Sequence, residues 1–177
     1  MSGGRPYPQS VAGPFPVPPR RVTVRPGWDI AIHVLDPSDS AVDDLLTMYE
    51  HFEPGDRAQG IPPATRSAIE AWLSMVLRSG PDLIARHDGQ VVGHATLVYD
   101  CGEEYELAIF VDAGHQGNGI GTALIETLLG YAADSGINRV WLTVERWNIP
   151  AISLYEKVGF QSHDHGSFEL EMTLRLG

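Results

Sequence analysis

The spacing of apolar residues divides the chain into strands, where they alternate with polar residues, and helices, where they recur every three or four positions. The alternating segments are 30–35, 82–87, 90–99, 105–111, 139–145, 160–163 and 167–176. Helical spacing begins near residues 40, 64, 120 and 148. This order predicts one mixed α/β sheet flanked by helices.

The first 21 residues follow neither pattern. They contain six of the chain's 13 prolines, with glycine, serine and glutamine between them. Such a composition buries too little apolar surface to offset the entropy lost on ordering. We therefore expect a proline-rich flexible tail or arm over residues 1–21 and a single domain over residues 22–177. Residues 21–25, at the junction, alternate like a short strand.

A glycine-rich turn joins the strand at 105–111 to the helix that begins at Ile120. Its glycines are Gly117, Gly119 and Gly121. Glycine lacks the Cβ atom that would keep a ligand away from the backbone. The first N–H groups of a helix lack partners in the chain and, with the helix dipole, favour an anion. The turn therefore predicts a phosphate-binding site, with an ordinary flexible connection as the alternative.

The spacing of the glycines separates three kinds of phosphate-binding turn. A P-loop ends in Gly-Lys-Ser/Thr, and this turn contains no lysine. A dinucleotide-binding turn reads G-x-G-x-x-G/A, but Thr122 holds the last of those positions when the count starts at Gly117. The pattern present is Q-x-x-G-x-G, from Gln116 to Gly121.

This pattern resembles the acyl-CoA pyrophosphate loop of the GNAT N-acetyltransferases. A second segment, N-x-x-A-x-x-L-Y-x-x-x-G-F from Asn148 to Phe160, resembles the other characteristic segment of that family. The resemblance covers nearly all of the chain after the proline-rich segment. It implies the GNAT fold, a central mixed and mostly antiparallel sheet of about seven strands flanked by about four helices.

Two further segments resemble one particular group of acetyltransferases within this family. The run that begins at Tyr105-Glu106 and continues through a hydrophobic strand into the glycine-rich turn is similar to the catalytic domain of protein lysine acetyltransferases that act on acyl-CoA synthetases. The arginine-flanked segment from Arg21 to Pro26 is similar to the same domains. The resemblance implies acetyl-CoA as cosubstrate and a primary amine as acceptor.

Two side chains are candidates for the chemistry. An amine with a pKa near 10.4 is only about 0.04% neutral at pH 7, so a base must take up its proton. Alternation places Glu104, Glu106 and Ala108 on one face of their strand. The family resemblance implies a catalytic glutamate at the position of Glu106, with Glu104 as the alternative base. Tyr155 matches the family's tyrosine, whose hydroxyl points at the coenzyme sulfur, and would act as the acid.

The resemblance also implies the residues that contact the coenzyme. The strand at 109–111 would pair with the pantetheine arm and supply an N–H group to the thioester oxygen. Asn148 would cap its helix, bond to the coenzyme, or do both. The complete set is Ile109, Phe110, Val111, Gln116, Gly117, Asn118, Gly119, Ile120, Gly121, Thr122, Asn148 and Tyr155.

Composition and charge limit the classes of binding partner and the cellular location that we expect. The net charge of −11 argues against nucleic acid and anionic membrane surfaces as partners. No apolar run approaches the ~20 residues of a membrane span, and the N-terminus has no signal-peptide pattern, so we expect a cytoplasmic protein. Lys157 is the only lysine, which indicates a halophilic protein, with a GC-rich genome as the alternative. Cys101 is the only cysteine, and we expect no metal site.

The sequence therefore predicts an acetyl-CoA-dependent N-acetyltransferase that acts on a protein lysine or N-terminal amine. Two alternatives stay open: the same fold acting on a small amine such as a polyamine, an amino acid or an aminoglycoside, and a sensor that binds acyl-CoA without catalysis. The oligomeric state also stays open, and a homodimer is compatible with the sequence. Trp72, Trp141 and Trp147 are expected in the core because they lie in or beside periodic segments.

Overall fold

Strands and helices follow one another along the chain much as the apolar spacing predicts. The computed structural model describes residues 4–37, 40–57 and 61–177. The strands within these residues are β1 Arg20–Arg25, β2 Trp28–Val34, β3 Asp82–His87, β4 Gln90–Tyr99, β5 Glu104–Val111, β6 Arg139–Glu145, β7 Gln161–His163 and β8 Glu169–Arg175. The α-helices are α1 Ala41–Glu50, α2 Arg66–Val76, α3 Ile120–Asp134 and α4 Ile149–Val158.

The eight described strands form one sheet in the order β1-β2-β3-β4-β5-β6-β8-β7. All neighbouring pairs are antiparallel except β5 and β6, which are parallel. The expected mixed, mostly antiparallel sheet flanked by four helices is confirmed. The strand beyond the expected seven is β1, which pairs with β2 from Arg20 to Arg25. The predicted domain boundary between residues 21 and 22 therefore falls inside a strand.

Alternation along the strands gives the sheet two apolar faces, which we call the α1 face and the α3 face. The α1 face packs against α1 and α2, and its core includes Tyr49 and Ile84. The α3 face packs against α3, and its larger core includes Leu107 and Leu124. Within β5, Leu107 therefore points to the α3 face, and Phe110 packs against the core of the α1 face. By the same alternation the side chain of residue 106 lies on the α1 face.

The three tryptophans expected in the core have different environments. Trp72 packs against the core of the α1 face. Trp141 is only half-buried, and the expectation is wrong for Trp147, which is 65% exposed. Trp147 lies in the turn after β6, outside the alternation of that strand, and its ring stacks on Phe168 with the centroids 6.5 Å apart. None of the described helices is long and apolar enough to cross a membrane.

Residues 4–19, which we call the N-terminal arm, run over the surface of the domain. The carbonyl oxygen of Pro6 accepts a hydrogen bond of 2.8 Å from the Thr173 hydroxyl of β8. The N–H of Ala12 donates to the carbonyl oxygen of Arg175 at 2.8 Å. Farther along, the arm lies directly on α3, where a Cβ atom at Gly130 would come within 1.9 Å of the Pro16 carbonyl oxygen. The arm therefore reaches from β8 to the outer side of α3.

Candidate active site

The two parallel strands, β5 and β6, separate in the middle of the sheet after Glu106, and we call the opening between them the fork. β5 and β6 pair over three positions, from Glu104 opposite Arg139 to Glu106 opposite Trp141. β5 itself continues to Val111. Among the described residues, no strand lies beside this last part of β5 on its β6 side. The fork therefore leaves one edge of β5 accessible to a ligand.

The register between β4 and β5 decides which backbone groups point into the fork. Asp112 donates its N–H to the carbonyl oxygen of Val92 at 2.9 Å. In antiparallel pairing such bonded positions alternate, so the even-numbered residues of β5 bond to β4. The backbone N–H and C=O groups of Ile109 and Val111 therefore point into the fork. Phe110 was also predicted to contact the coenzyme, but its backbone groups point to β4 and its ring packs on the α1 face.

The glycine-rich turn follows β5 at the open end of the fork. Gly117 and Gly119 have φ angles of +74° and +90°, which glycine alone adopts without strain. A Cβ atom at either residue would meet no heavy atom of the described chain within 4 Å. The side chains of the turn fold back onto it, since the amide of Gln116 donates to Val111 O at 3.0 Å and that of Asn118 donates to Gln116 O at 3.0 Å. At Gly117 and Gly119 the turn therefore exposes bare backbone.

The start of α3 presents N–H groups to that bare surface. Within the described chain, no side chain caps the helix at Gly119. The first bond of the helix joins Ala123 N–H to Gly119 O at 3.1 Å. The N–H groups of Ile120, Gly121 and Thr122 therefore lie before the first bonded turn. Together with the helix dipole they make a site for an anion, which is the chemistry expected of a diphosphate.

Helix α4 lies against the same turn and carries the candidate acid. Asn148 Oδ1 accepts a hydrogen bond of 3.3 Å from Ala151 N–H, so this side chain caps the helix. Leu154 Cδ1 lies 3.4 Å from the position that a Cβ atom of Gly121 would take, so α4 packs closely on the turn. Burial raises the pKa of Tyr155 to about 12. Its hydroxyl therefore carries a proton at neutral pH.

Glu106, the candidate base, lies on the α1 face at the last paired position before β5 and β6 separate. Its neighbour across the sheet on β6 is Trp141. Burial raises the pKa of the Glu106 carboxyl, and the negative charges of Asp100 and Glu169 raise it further, whereas the charge of Arg5 lowers it. A raised pKa brings the carboxyl closer to the neutral pH at which a general base is most effective.

Glu104, the alternative base, is held by an ion pair. The residue is 9% exposed, and its carboxylate accepts a hydrogen bond of 2.6 Å from Arg5 Nη1. This bond holds the Glu104 carboxylate in an ion pair, whereas Glu106 forms no ion pair among the described residues, so the geometry favours Glu106. Arg5 itself was not foreseen as a site residue, because it lies in the proline-rich segment, 99 positions from its partner.

Known proteins share both sequence and fold with this chain. Residues 43–160 match the model of the acetyltransferase (GNAT) family. An uncharacterized N-acetyltransferase of Mycobacterium bovis is 39% identical over 89 residues, which cover 50% of this chain and 57% of the relative. A mycothiol acetyltransferase of Catenulispora acidiphila is 29% identical over 161 residues, which cover 83% of this chain and 46% of the relative. The chain thus spans about half the length of these curated relatives.

The fold is similar to that of yncA from Salmonella typhimurium, whose structure was solved with its cofactor acetyl-CoA. The TM-score is 0.64 at 23% sequence identity, and the match covers 84% of this chain and 94% of the other. At this identity the likeness supports the fold, and the coenzyme belongs to the Salmonella protein.

Proposed function

The chain belongs to the acetyltransferase (GNAT) family, and we propose that it transfers the acetyl group of acetyl-CoA to a primary amine. The observation that carries the proposal is the open fork, with the glycine-rich turn at its end and Glu106 at its apex. A pantetheine arm laid along the fork would accept hydrogen bonds from the N–H groups of Ile109 and Val111. The turn would hold the diphosphate.

Glu106 would remove the proton from the ammonium form of the acceptor, directly or through water. The nitrogen lone pair then attacks the thioester carbonyl, and the backbone N–H of Ile109 or Val111 stabilises the developing oxyanion. When the carbon–sulfur bond breaks, Tyr155 donates its proton to the departing thiolate. The nitrogen loses its second proton to solvent as the amide forms, and the proton collected by Glu106 returns to Tyr155 through solvent. The products are the N-acetylated amine, the free thiol of CoA and one released proton.

The charges around Glu106 favour a cationic acceptor. The negative charges of Asp100 and Glu169 raise the pKa of Glu106, because like charges repel each other. A protonated amine beside Glu106 would relieve this repulsion. A lysine side chain or N-terminal amine of a protein is our first candidate. A small-molecule amine is the second, and the similarity to a mycothiol acetyltransferase favours it.

Release of free thiol from acetyl-CoA tests the reaction and ranks the acceptors. A lysine peptide, a peptide with a free N-terminal amine and spermidine represent the candidate classes. We expect turnover with at least one of them, and no CoA binding by the wild-type protein would refute the proposal. CoA binding without turnover on any amine would support an acyl-CoA sensor instead.

Substitution of Glu106 tests the assignment of the base. Glu106→Gln is expected to lower kcat/KM by about 10²–10⁴-fold while CoA affinity stays unchanged. Glu103, an exposed carboxylate three positions earlier, provides the matched control Glu103→Gln. Equal rates for Glu106→Gln and the control would show that Glu106 is not the base.

A further inference from the structure

An arginine of the N-terminal arm lies on the sheet beside the candidate base. The Arg5 guanidinium lies over the ring of Trp141, with 3.6 Å between its central carbon and the ring centroid. Trp141 is the β6 residue directly opposite Glu106. Arg5 therefore occupies the α1 face at the apex of the fork, beside the place where an acceptor amine would have to approach Glu106.

Arg5 also forms ion pairs with three carboxylates from three parts of the fold. Its Nη1 lies 2.6 Å from Glu104 of β5 and 3.1 Å from Asp100, and its Nε lies 3.1 Å from Glu171 of β8. The side chain of Arg5 is only 24% exposed, so water screens these pairs less than it screens surface pairs. One guanidinium thus pairs with three carboxylates on this face of the sheet.

Among the described residues, three charged groups act on the ionisation of Glu106, and Arg5 is the positive one. Asp100 follows β4, and Glu169 begins β8; the charges of both oppose ionisation of Glu106. Arg5 is the cation that favours ionisation. The residues opposite Glu106 on the adjacent strands, Val98 and Trp141, are uncharged.

The backbone that follows Arg5 is fixed to the domain. The next residue, Pro6, accepts the hydrogen bond from Thr173, and Ala12 bonds to Arg175. The guanidinium also makes a cation–π contact with the ring of Trp141. The position of the charge is therefore set by packing and by several bonds, as expected for a group that orients a neighbour.

We propose that Arg5 is a positioning residue for Glu106. It holds the carboxylates of Glu104, Asp100 and Glu171 in place and supplies the positive charge that keeps Glu106 ionised and able to accept a proton. This inference rests on the proposed acetyl transfer and adds to it a residue from outside the part of the chain that matches the family model.

The test is the pH dependence of kcat/KM, measured between pH 5 and 9 with one acceptor for all variants. Removal of the positive charge raises the pKa of Glu106. On acidification the kcat/KM of Arg5→Ala should therefore begin to fall at a higher pH than that of the wild type; we call this falling part of the pH profile the acid limb. We expect this acid limb to move upward by about one pH unit, which lowers kcat/KM about tenfold below the limb and little above it. The titration of the amine itself is common to all variants and cancels in the comparison.

Two variants separate positioning from a merely structural role. Arg5→Lys keeps the charge and should return the acid limb to within a few tenths of a unit of wild type, although a single ammonium group cannot reproduce the separate Nη1 and Nε contacts. Arg20→Ala removes an arginine of similar exposure, 27%, that pairs with Glu126 on α3, and should leave the acid limb in place. If Arg5→Ala does not fold, Arg5→Gln takes its place beside Arg5→Lys.

The outcomes distinguish this inference from the proposed function. A wild-type protein that is inactive on every amine would refute the proposed function, and full activity in Glu106→Gln would exclude Glu106 as its base. An active protein that depends on Glu106 but shows the same acid limb in Arg5→Ala would overturn the role of Arg5 alone. A uniform loss of rate at every pH, together with a lower melting temperature, would also overturn it, because destabilisation does not move the limb.

Discussion

Substitution of Gly119 by alanine separates binding at the glycine-rich turn from the stability of the turn. Gly119 begins α3 with a φ angle of +90°. A Cβ atom there would meet no heavy atom of the described chain within 4 Å. In the free protein, Gly119→Ala therefore adds backbone strain and no clash. The added methyl group projects into the space in which the coenzyme diphosphate is proposed to lie.

The expected magnitudes follow from this geometry. A non-glycine residue in the left-handed region costs about 1–2 kcal/mol in the free energy of unfolding. In a domain of this size that loss lowers the melting temperature by roughly 2–8 °C. The loss of CoA affinity should be tenfold or more, since a displacement of the diphosphate that costs only about 1.4 kcal/mol already has this effect.

Gly136 provides the matched control. It lies just after the other end of α3, has a φ angle of +82°, and a Cβ atom there would also meet nothing within 4 Å among the described residues. Gly136→Ala should lower the melting temperature as much as Gly119→Ala but leave CoA affinity unchanged. Calorimetric titration with CoA and thermal unfolding of both variants measure the two effects. Equal CoA affinities would refute the placement of the diphosphate at this turn.

Three further predictions concern stability and ionisation. Gly130→Ala should release the N-terminal arm to proteolysis and lower the unfolding free energy by about 1–3 kcal/mol, because its Cβ would lie 1.9 Å from a carbonyl oxygen of the arm; an arm that stays protected would contradict this. Asp82→Ala should lower the unfolding free energy by about 1–3 kcal/mol in denaturant titration, since it leaves His94, fully buried and bonded at 2.7 Å, without that partner. Arg146 holds the pKa of Asp164 at about 2, so this pair stabilises the fold above the ordinary aspartate pKa and the contribution is lost as the pH falls toward 2. Arg146→Ala should raise the NMR-measured pKa of Asp164 toward the ordinary aspartate value of about 4 without reaching it, because Gly166 N–H still donates to this carboxylate at 2.8 Å. An unchanged value would exclude the pairing.

Local patterns were enough to predict most of the fold. The alternation from Tyr105 to Val111 and the cap at Asn148 each depend on a few adjacent residues, and each lies where it was expected. Such features are set by backbone conformation and by one or two nearby bonds. The open glycine-rich turn belongs to the same group, because the conformation of Gly117 is a local property.

The surroundings of the candidate base could not be read from local patterns. Alternation places Glu106 on a face, but it does not say that β5 and β6 separate directly after this residue. Periodicity also led to the expectation of a core position for Trp141, which instead supports the guanidinium of Arg5. The ion pair between Arg5 and Glu171 joins residues 166 positions apart. Only the assembled sheet brings such groups together.

The contact between the N-terminal arm and β8 has a consequence for biosynthesis. Arg5 precedes its partner Glu171 by 166 positions, and the anchor Thr173 lies on the same strand as that partner. During synthesis the arm therefore cannot dock until β8 has been made. A chain interrupted before β8 could form the glycine-rich turn and still lack the cation beside Glu106. Synthesis of β8 would thus be the step that makes the newborn protein competent.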